Sequence, residues 1–419
     1  MDVTIISAYT WYNKGDAAIL LGTVKELEEY FYSKNKVVNF NILSFTPETD
    51  YLKYSEHSSN IKVVKSNIFN PYPLKKDKKN KLKAILKMGL KFFKLKLSFF
   101  FNKESAINKV EGLKLCNESD LVIVCGGGFL GGNKYNSLMH LAQIHFVNKL
   151  DKKIILWGTS IEPPTKKLLK SITEKVLINL DYILPRETVT EGYLDTWFPK
   201  DKIVRTPDMA FKTPFEKTSF SEEIFLMIKN KAKDKDIIGI TMREWMFPKS
   251  ENPTDDKKKY IEALVNLINM NSEKKVFVFI PQVIMEGDDD RKFAFEVQKQ
   301  LNNKESLIVL EQDFSPYELK WLISQFDQFV GTRMHSNIFS STMLLPPIAI
   351  AYESKTNGIM DELGLSKYCV DIENVHCEAL DKLIKSNSHN KKELSNLMET
   401  KIEQFQLDIR KATKEVLDK

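Results

Sequence analysis

Residues 328–352 read QFVGTRMHSNIFSSTMLLPPIAIAY, and the pattern of this stretch indicates the fold class. A strand candidate, QFVGTRM (328–334), is followed by a helical pattern and then by a second strand candidate, PPIAIAY (346–352). A strand, a helix and a second strand in succession are typical of a βαβ unit in a parallel sheet. Polar residues at the end of the first strand then lie at the sheet edge where such folds bind ligands.

The same alternation runs along most of the chain. The strand candidates are 3–9, 37–45, 61–66, 120–127, 153–160, 182–187 and 203–208 in the first half, and 237–243, 275–281, 306–312, 328–334 and 346–352 in the second. Helical stretches such as 16–33, 136–150 and 165–180 separate the strands. This pattern predicts an α/β protein of two doubly wound, Rossmann-like domains facing a cleft.

The domain boundaries follow from a polar, charged stretch near 212–235, after which the alternation begins again. We expect an N-terminal domain over 1–225, with a basic insertion at 70–104. A C-terminal domain is expected over 230–390, followed by a charged helix over 391–419.

Composition excludes several classes of protein. The chain has 419 residues and a net charge of +6, and no run of about 18 apolar residues that could span a membrane. The start, MDVTIISAY, lacks the basic residues of a secretory signal, so we expect a cytoplasmic protein. The spacing of the four cysteines fits neither a disulfide framework nor a zinc site. Because residues 75–103 hold eleven lysines and one acid, the remainder is slightly acidic, which argues against nucleic-acid binding.

The segment GTRMHS after strand 328–334 predicts an anion site. The helix that starts there points its N-terminal amides at a bound anion, and Arg333 adds a bidentate donor for a carboxylate or phosphate. His335 adds a group that can carry a proton near neutral pH. A buried structural histidine is the alternative interpretation.

Two further strand ends carry charged groups. Arg243 follows strand 237–243 and is a candidate anion clamp, with a surface pair between Arg243 and Glu244 as the alternative. Lys355 lies at the end of the strand next to the Arg333 strand, and we expect it to complete a cationic pocket.

Three other segments are open to two interpretations. Asp16, in NKGD at 13–16, is a helix N-cap that also contacts ligand hydroxyls, or only a cap. The run GGGFLGG at 126–132 contains GxGxxG, but the next strand lacks the acid of a dinucleotide site, so it is a close-approach surface or a structural turn. The acids at 288–290 are expected in the first turn of a helix over 288–302 and not at a metal.

Together these segments resemble the polysaccharide pyruvyl transferase family over about residues 3–365. The matching motifs are NKGDAAIL, CGGGFLGG, GTSIEPP, PRE (185–187), TPDMAF (206–211), IGITMRE, FIPQ (279–282), VGTRMHSNIF and PPIAIAYESKTNGIM. The resemblance implies a fold similar to two-domain GT-B glycosyltransferases. It also implies transfer of pyruvate from phosphoenolpyruvate to sugar hydroxyls of a polysaccharide repeat unit or a lipid-linked precursor, giving a ketal.

The resemblance further implies roles for single residues. His335 corresponds to the proton donor and Arg333 to a donor-binding arginine, with a second such arginine at Arg243 in preference to Arg186. The expected donor-binding residues are Arg333, Met334, Ser336, Arg243, Lys355 and Glu353. The expected acceptor-binding residues, on the N-terminal domain, are Asn13, Asp16, Gly127, Gly128 and Asn133. Phosphoenolpyruvate is expected as co-substrate, with no cofactor and no metal. The acceptor interpretation includes a polyprenyl-diphosphate-linked saccharide.

Two alternatives to pyruvyl transfer remain open. One is a GT-B glycosyltransferase with a nucleotide-sugar donor, in which Glu353 holds the ribose. The other is a non-catalytic glycan-binding module, which would not need both Arg333 and His335.

The lysine-rich segment 75–103 lies outside the family pattern. On a helical wheel Lys83, Lys87, Lys91, Lys94 and Ser98 share one face, and Ile85, Phe92, Phe93, Leu95 and Phe99 lie opposite. This predicts peripheral attachment to an anionic membrane surface, lysines toward the headgroups and aromatics below. The alternative is a solvated helix that packs its phenylalanines on the first domain.

Overall fold

The structure, a computed structural model, describes residues 1–70, 85–133, 136–248 and 250–419, together with the backbone of 81–84. The chain divides into two compact units. The first unit comprises Met1–Trp11, Ile19–Lys212 and Leu407–Lys419, and the second unit comprises Tyr12–Ala18 and Thr213–Gln406. The division differs from the expected domains because the short segment 12–18 packs with the second unit and the C-terminal helix contributes to both.

A parallel sheet forms the centre of the first unit. Its strands are β1 (Asp2–Ala8), β2 (Asn39–Ser44), β3 (Ile61–Lys65), β4 (Leu121–Val124), β5 (Gly127–Gly131), β6 (Ile154–Glu162) and β7 (Tyr182–Pro185). The order across the sheet is β3-β2-β1-β4-β6-β5, and β7 also pairs with β6. The strands β4 and β1 are almost entirely buried, as is typical of strands covered by helices on both faces.

The second unit is built on a parallel sheet with the order β12-β9-β8-β13-β14-β15. Its strands are β8 (Asp236–Thr241), β9 (Lys275–Phe279), β12 (Leu307–Val309), β13 (Gln328–Gly331), β14 (Pro347–Ala351) and β15 (Cys369–Asp371); a separate hairpin comprises β10 (Ile284–Met285) and β11 (Asp288–Asp289). Numbered within the sheet, this is the Rossmann order 3-2-1-4-5-6. The order in which strands are added to the sheet reverses between β8 and β13, although the two strands are parallel. In folds of this kind ligands bind at the carboxyl ends of the strands at such a point.

Helices follow the strands in both units. In the first unit they are α1 (Lys14–Ser33), α2 (Pro47–Ser55), α3 (Lys81–Phe101), α4 (Lys103–Asn108), α5 (Glu111–Glu118), α6 (Ser137–Val147), α7 (Lys167–Leu177) and α8 (Thr188–Leu194). In the second unit they are α9 (Ser219–Ala232), α10 (Pro253–Asn271), α11 (Asp290–Lys299), α12 (Pro316–Ser324), α13 (Met334–Thr342), α14 (Ser354–Glu362) and α15 (Cys377–His389); α16 (Lys391–Leu417) ends the chain. The first residues of α1 and the last turns of α16 belong to the other unit, as the division above states.

The fold class is confirmed, whereas two strand predictions and one helix prediction are wrong. The candidate 203–208 forms only an isolated bridge between Ile203 and Ile183. The run 120–127 covers β4 and only the first residue of β5, because pairing with β6 is interrupted between Val124 and Gly127. The expected helix 288–302 begins only at Asp290, after β11.

Candidate active site

The turn after β13 is fixed by the strand beside it. Thr241 Oγ1, at the end of β8, accepts hydrogen bonds from the amides of Thr332 at 2.9 Å and Arg333 at 3.4 Å. The Thr332 hydroxyl donates in turn to the Thr241 carbonyl at 2.9 Å. The motifs ITMRE and VGTRMH therefore meet at the reversal point of the second sheet, and their side chains project from one place.

Arg333 is the N-cap residue of α13, and its side chain makes no capping bond to that helix. Its guanidinium instead contacts two carboxylates: Nε donates to Asp290 Oδ2 at 3.2 Å, and Nη2 donates to Asp288 Oδ1 at 3.1 Å and to Asp290 Oδ1. Within the part of the chain that the structure describes, Nη1 of Arg333 donates no hydrogen bond. One edge of the guanidinium is thus held by the protein and the other is available to a ligand.

The pair of Arg333 and Asp290 is buried, with side chains 11% and 2% exposed. Burial lowers the pKa of Arg333, but the charge and hydrogen bond of Asp290, together with the charges of Tyr352 and Asp288, outweigh it and hold the pKa above the usual arginine value. Burial likewise raises the pKa of the Asp290 carboxyl, against the opposing charge of Arg333. Each charge therefore depends on the other to remain in this apolar surrounding.

The acidic run 288–290 has a different role from the expected one. Asp289, not a residue inside the helix, caps α11 by accepting from the Arg291 amide at 3.1 Å, and it pairs with the Arg291 guanidinium at 2.8 Å. Asp288 and Asp290 hold Arg333. No group of three metal-binding side chains occurs in the described residues. Long-range charge pairing, which a local pattern does not reveal, accounts for Asp288 and Asp290.

Arg243 lies against aromatic rings at the end of β8. Its guanidinium carbon is 4.5 Å from the ring centre of Tyr352 and 5.3 Å from that of Trp245. The alternative of an Arg243–Glu244 pair is not what forms, because the Glu244 carboxylate pairs with Lys257 at 2.6 Å. A cation held over ring faces is positioned without an opposing carboxylate, so its charge is available to an anion.

His335 packs on the start of α1. A Cβ built on Gly15 would lie only 2.1 Å from His335 Nδ1 and 2.5 Å from its Cγ, so only glycine leaves room for the imidazole at this position. The segment 12–18 belongs to the same compact unit as His335. The NKGD motif therefore shapes the surroundings of the histidine.

Backbone pairing holds this segment in place. The Lys14 amide donates to the Gln282 carbonyl at 2.9 Å, and the Ile284 amide donates to the Tyr12 carbonyl at 3.0 Å. The buried Lys14 ammonium also pairs with Asp313. The residue between these bonds, Val283, donates its amide to Asp290 Oδ2 at 3.0 Å. Backbone and carboxylate bonds thus connect NKGD, FIPQ and GTRMH in one unit.

We expect Gly15→Ala to lower kcat about a hundredfold, the effect of displacing a reacting group by about 1 Å. Alanine is the better helix former, so α1 itself should not be weakened. Steady-state rates and thermal unfolding curves of the variant and the wild type would separate a loss of catalysis from a loss of stability. The matched control is Gly192→Ala in α8, where a Cβ meets nothing within 4 Å. An active Gly15→Ala enzyme would contradict the placement of His335 in catalysis.

The N-terminus of α1 is capped differently from the prediction. The helix begins at Lys14, so Asn13 is the residue before it and Asp16 lies in its first turn. Asn13 Oδ1 accepts from the Asp16 amide at 3.4 Å, and Asn13 Nδ2 donates to Asp16 Oδ2 at 2.6 Å. This reciprocal arrangement resembles a capping box, which needs the acid at the third helical position.

The other expected donor-binding side chains lie around the same strand ends. Lys355 pairs with Glu353 at 2.5 Å, so its charge is balanced locally. Met334 and Ser336 are buried, and the Ser336 hydroxyl donates to the Arg333 carbonyl at 2.6 Å. A donor contact by Met334 would therefore use its backbone amide, whereas the Ser336 amide already donates to the Arg333 carbonyl at 3.0 Å.

The glycine-rich run lies in the first unit. Its helix, α6, starts only at Ser137, so the run does not open a helix as a dinucleotide site requires. A Cβ on Gly126 would be 2.3 Å from the Trp157 carbonyl oxygen, which explains glycine by close backbone approach. Gly127 accepts from Thr159 at 3.3 Å, Gly128 is exposed, and Asn133 donates to Thr165 at 2.7 Å.

Arg186 also lies in the first unit, where it pairs with Asp208 at 2.5 Å and donates to Ser160 at 2.8 Å. Both members of the pair are buried, so a buried ion pair connects the PRE and TPD motifs. Arg186 therefore has a structural partner that accounts for it, which favours Arg243 as the second ligand-binding arginine.

Sequence reasoning missed several residues of these clusters. His140 is fully buried, bonds to Ser7 at 3.1 Å and Tyr9 at 3.0 Å, and lies 4.2 Å from the Phe129 ring centre. In the second unit Gly15, Tyr352 and Asp290 were not assigned their roles. The only signal for them was their position within the matched motifs or the acidic run.

Comparison with known proteins gives three results. The family model described as polysaccharide pyruvyl transferase matches residues 13–354. The amylovoran biosynthesis protein AmsJ of Erwinia amylovora is 24% identical over 429 residues, covering 100% of this chain and 99% of AmsJ. Among solved structures, UDP-GlcNAc 2-epimerase of Methanocaldococcus jannaschii in complex with UDP-GlcNAc and UDP has a TM-score of 0.53 and 14% identity, covering 93% of each chain.

A second solved structure, TcCGT1 in complex with UDP, has a TM-score of 0.58 and 11% identity, covering 100% of this chain and 98% of its own. At such identities the likeness concerns the fold alone. It shows that the two Rossmann-like sheets are those of the GT-B class.

Proposed function

Since the chain belongs to the polysaccharide pyruvyl transferase family, we propose that it moves the pyruvyl group of phosphoenolpyruvate onto sugar hydroxyls as a ketal. The observation that carries this proposal is the pairing of β8 with β13, because Arg243 follows the first of these strands and Arg333 and His335 follow the second. The product would belong to a capsule or exopolysaccharide, and the similarity to AmsJ, an amylovoran biosynthesis protein, supports a place in polysaccharide synthesis.

Phosphoenolpyruvate carries a carboxylate and a phosphate, so a site for it needs several fixed donors. Arg333 offers the Nη1 edge of its guanidinium, and Arg243 offers a cation that no carboxylate of the described chain pairs with. The first-turn amides of α13 add donors aligned with the positive end of the helix dipole. Together they would bind the donor and stabilise the departing phosphate.

The proposed reaction begins with a proton. His335 protonates the methylene carbon of the enol, leaving an oxocarbenium-like carbon that a first sugar hydroxyl attacks. That hydroxyl returns its proton to His335. The bond from this carbon to the phosphate oxygen then breaks, a second hydroxyl forms the ketal, and its proton leaves with the phosphate. The balance needs no oxidant and no metal.

The acceptor side of the proposal is coarser. Asn13 and Asp16 lie on the segment that contacts His335, so we propose that they orient the attacking hydroxyls. Gly127, Gly128 and Asn133 of the first unit remain predictions for binding the rest of the saccharide. A polyprenyl-diphosphate-linked saccharide is included among the acceptors.

The test uses phosphoenolpyruvate itself. We expect it to raise the thermal unfolding temperature of the wild-type protein, and UDP-sugars to have no such effect. Mass spectrometry of glycans from cells with and without the gene should then show pyruvyl ketals only in its presence. Stabilisation by UDP-sugars instead, with a missing sugar in the deleted strain, would support the glycosyltransferase alternative. If neither donor stabilises the protein and the glycans of the two strains do not differ, the result would favour a glycan-binding module.

We expect activity to be independent of metal ions, because each carboxylate of the acidic run contacts an arginine. Exhaustive chelation with EDTA should leave the rate of phosphate release from phosphoenolpyruvate unchanged. A rate lost on chelation and restored by magnesium would contradict this mechanism and favour a nucleotide-sugar donor.

A further inference from the structure

Helix α3 has two apolar faces, and among the described residues only one of them is packed against the protein. Phe92, Leu95 and Phe99 pack against the core of the first unit, with Leu95 buried and the two phenylalanines half-buried. The rings of Phe92 and Phe99 lie 5.2 Å and 5.3 Å from that of Phe146 in α6. For this face the alternative interpretation, a helix that packs its phenylalanines on the first domain, is the one that the structure shows.

The opposite face carries a continuous row of exposed apolar side chains, which we name the outer stripe: Leu86, Leu90, Phe93, Leu97, Phe100 and Phe101. From Leu86 to Phe100 successive members are three or four residues apart, the spacing of one helix face, and Phe101 follows directly at its edge. Phe93 is 61% exposed and Phe100 is 82% exposed. Single exposed apolar residues are ordinary, but a row along about four turns indicates a binding surface.

Lysines border the outer stripe. By helical position Lys87 and Lys94 lie along one side of it and Lys96 along the other, and all three are exposed. The sequence of α3 contains six lysines and no acid. The surface is therefore apolar along its centre and positively charged at its sides.

The lysine face expected from the wheel is partly wrong. Lys91 turns toward the protein, where Nζ donates to the Asn67 carbonyl at 2.7 Å and lies 5.3 Å from the Phe69 ring centre. The wheel placed Phe93 on the same side as Phe92 and Phe99, which the structure packs on the protein. Phe93 is exposed and belongs to the outer stripe instead. The side chain of Lys83 lies outside the described residues.

We propose that the outer stripe and its bordering lysines bind an anionic lipid surface, with α3 lying in the interface plane. Leucine and phenylalanine side chains would enter the acyl boundary, and lysines would extend to the headgroups. A second copy of this chain is a poorer occupant, because stripe-to-stripe contact would bring together lysines with no acid on either helix. The proposal is independent of pyruvyl transfer. None of the helices in the described residues is long and apolar enough to cross a bilayer.

The experiment sediments the full-length protein with vesicles of phosphatidylglycerol and phosphatidylcholine, or of phosphatidylcholine alone. Wild type should pellet with the anionic vesicles at low salt, and pelleting should fall as salt rises. Leu90→Glu with Phe93→Glu, and separately Lys87→Glu with Lys94→Glu, should each lower the bound fraction at least about tenfold.

The matched control is Leu168→Glu with Lys167→Glu on α7, where Leu168 is 72% exposed, and it should pellet like wild type. Unfolding curves would establish that all variants are folded. Three results would overturn the proposal: no pelleting of wild type at low salt, equal pelleting of the outer-stripe variant, or equal binding to neutral vesicles. A dimer in light scattering that the stripe variant abolishes, without vesicle binding, would assign the face to a second copy instead.

Discussion

Changing His335 to alanine is expected to abolish measurable turnover while phosphoenolpyruvate still binds within a few-fold of the wild-type affinity. A general acid of this kind contributes about 10²–10⁴-fold to the rate. The imidazole lies on Gly15, whereas the charges expected to hold the donor come from Arg333 and Arg243. The loss should therefore appear in kcat and not in the donor dissociation constant.

Phosphate release and isothermal titration with phosphoenolpyruvate would measure the two quantities. His335→Gln preserves much of the side-chain volume and should be equally inactive, because an amide cannot deliver the proton. The control is His376→Ala, an exposed histidine in the same unit that pairs with Glu378. If His335→Ala retains near-full rate, the general acid is another group.

The sequence predicted the fold class well because the apolar runs that form buried strands, and the helical patterns between them, are local features of the sequence. Strands such as β8 and β14 are short apolar runs, and their succession with helices leaves few arrangements of a parallel sheet. The failures have physical reasons as well. The strand β5 is rich in glycine, so its sequence resembles that of a turn. Its backbone pairing with β6 stabilises it as a strand, because its glycines have no side chains to pack.

The candidate site was predictable in position but not in its contacts. Arg333 and Arg243 follow apolar strands, so topology alone brings them to one sheet edge. The contact of Gly15 with His335 spans 320 positions of the chain, and no local pattern signals it. Similarly, an acid at the start of a helix has the same local pattern whether or not a distant arginine pairs with it, as Arg333 pairs with Asp290.

Helix α3 shows a third limit. Its apolar residues occur on two opposite sides, so periodicity alone cannot tell which side the protein covers. Which side is buried depends on the apolar side chains of the first unit that α3 can pack against, such as the rings of Phe146 and Phe69 beside Phe92. A wheel therefore identified an amphipathic helix but assigned Lys91 and Phe93 to the wrong surroundings.

The remaining prediction concerns the buried pair of Arg333 and Asp290. Arg333→Ala should lower the free energy of unfolding by about 3–5 kcal/mol, because it leaves the carboxylate of Asp290 buried without its cation. It should also weaken donor binding by about 2–5 kcal/mol, or roughly thirty- to several-thousand-fold. Urea unfolding and isothermal titration report these two losses separately.

A second substitution distinguishes the two roles. In Arg333→Ala with Asp290→Asn the buried charge is gone, and the asparagine oxygen can still accept from the Val283 amide. Much of the lost stability should therefore return, whereas affinity for phosphoenolpyruvate should stay low because the guanidinium is still missing. Arg333→Lys should keep part of the stability but bind the donor poorly, since an ammonium cannot offer two parallel donors. If donor affinity recovers together with stability in the double variant, Arg333 acts through the fold alone, and the anion site must be built from Arg243 and the amides of α13.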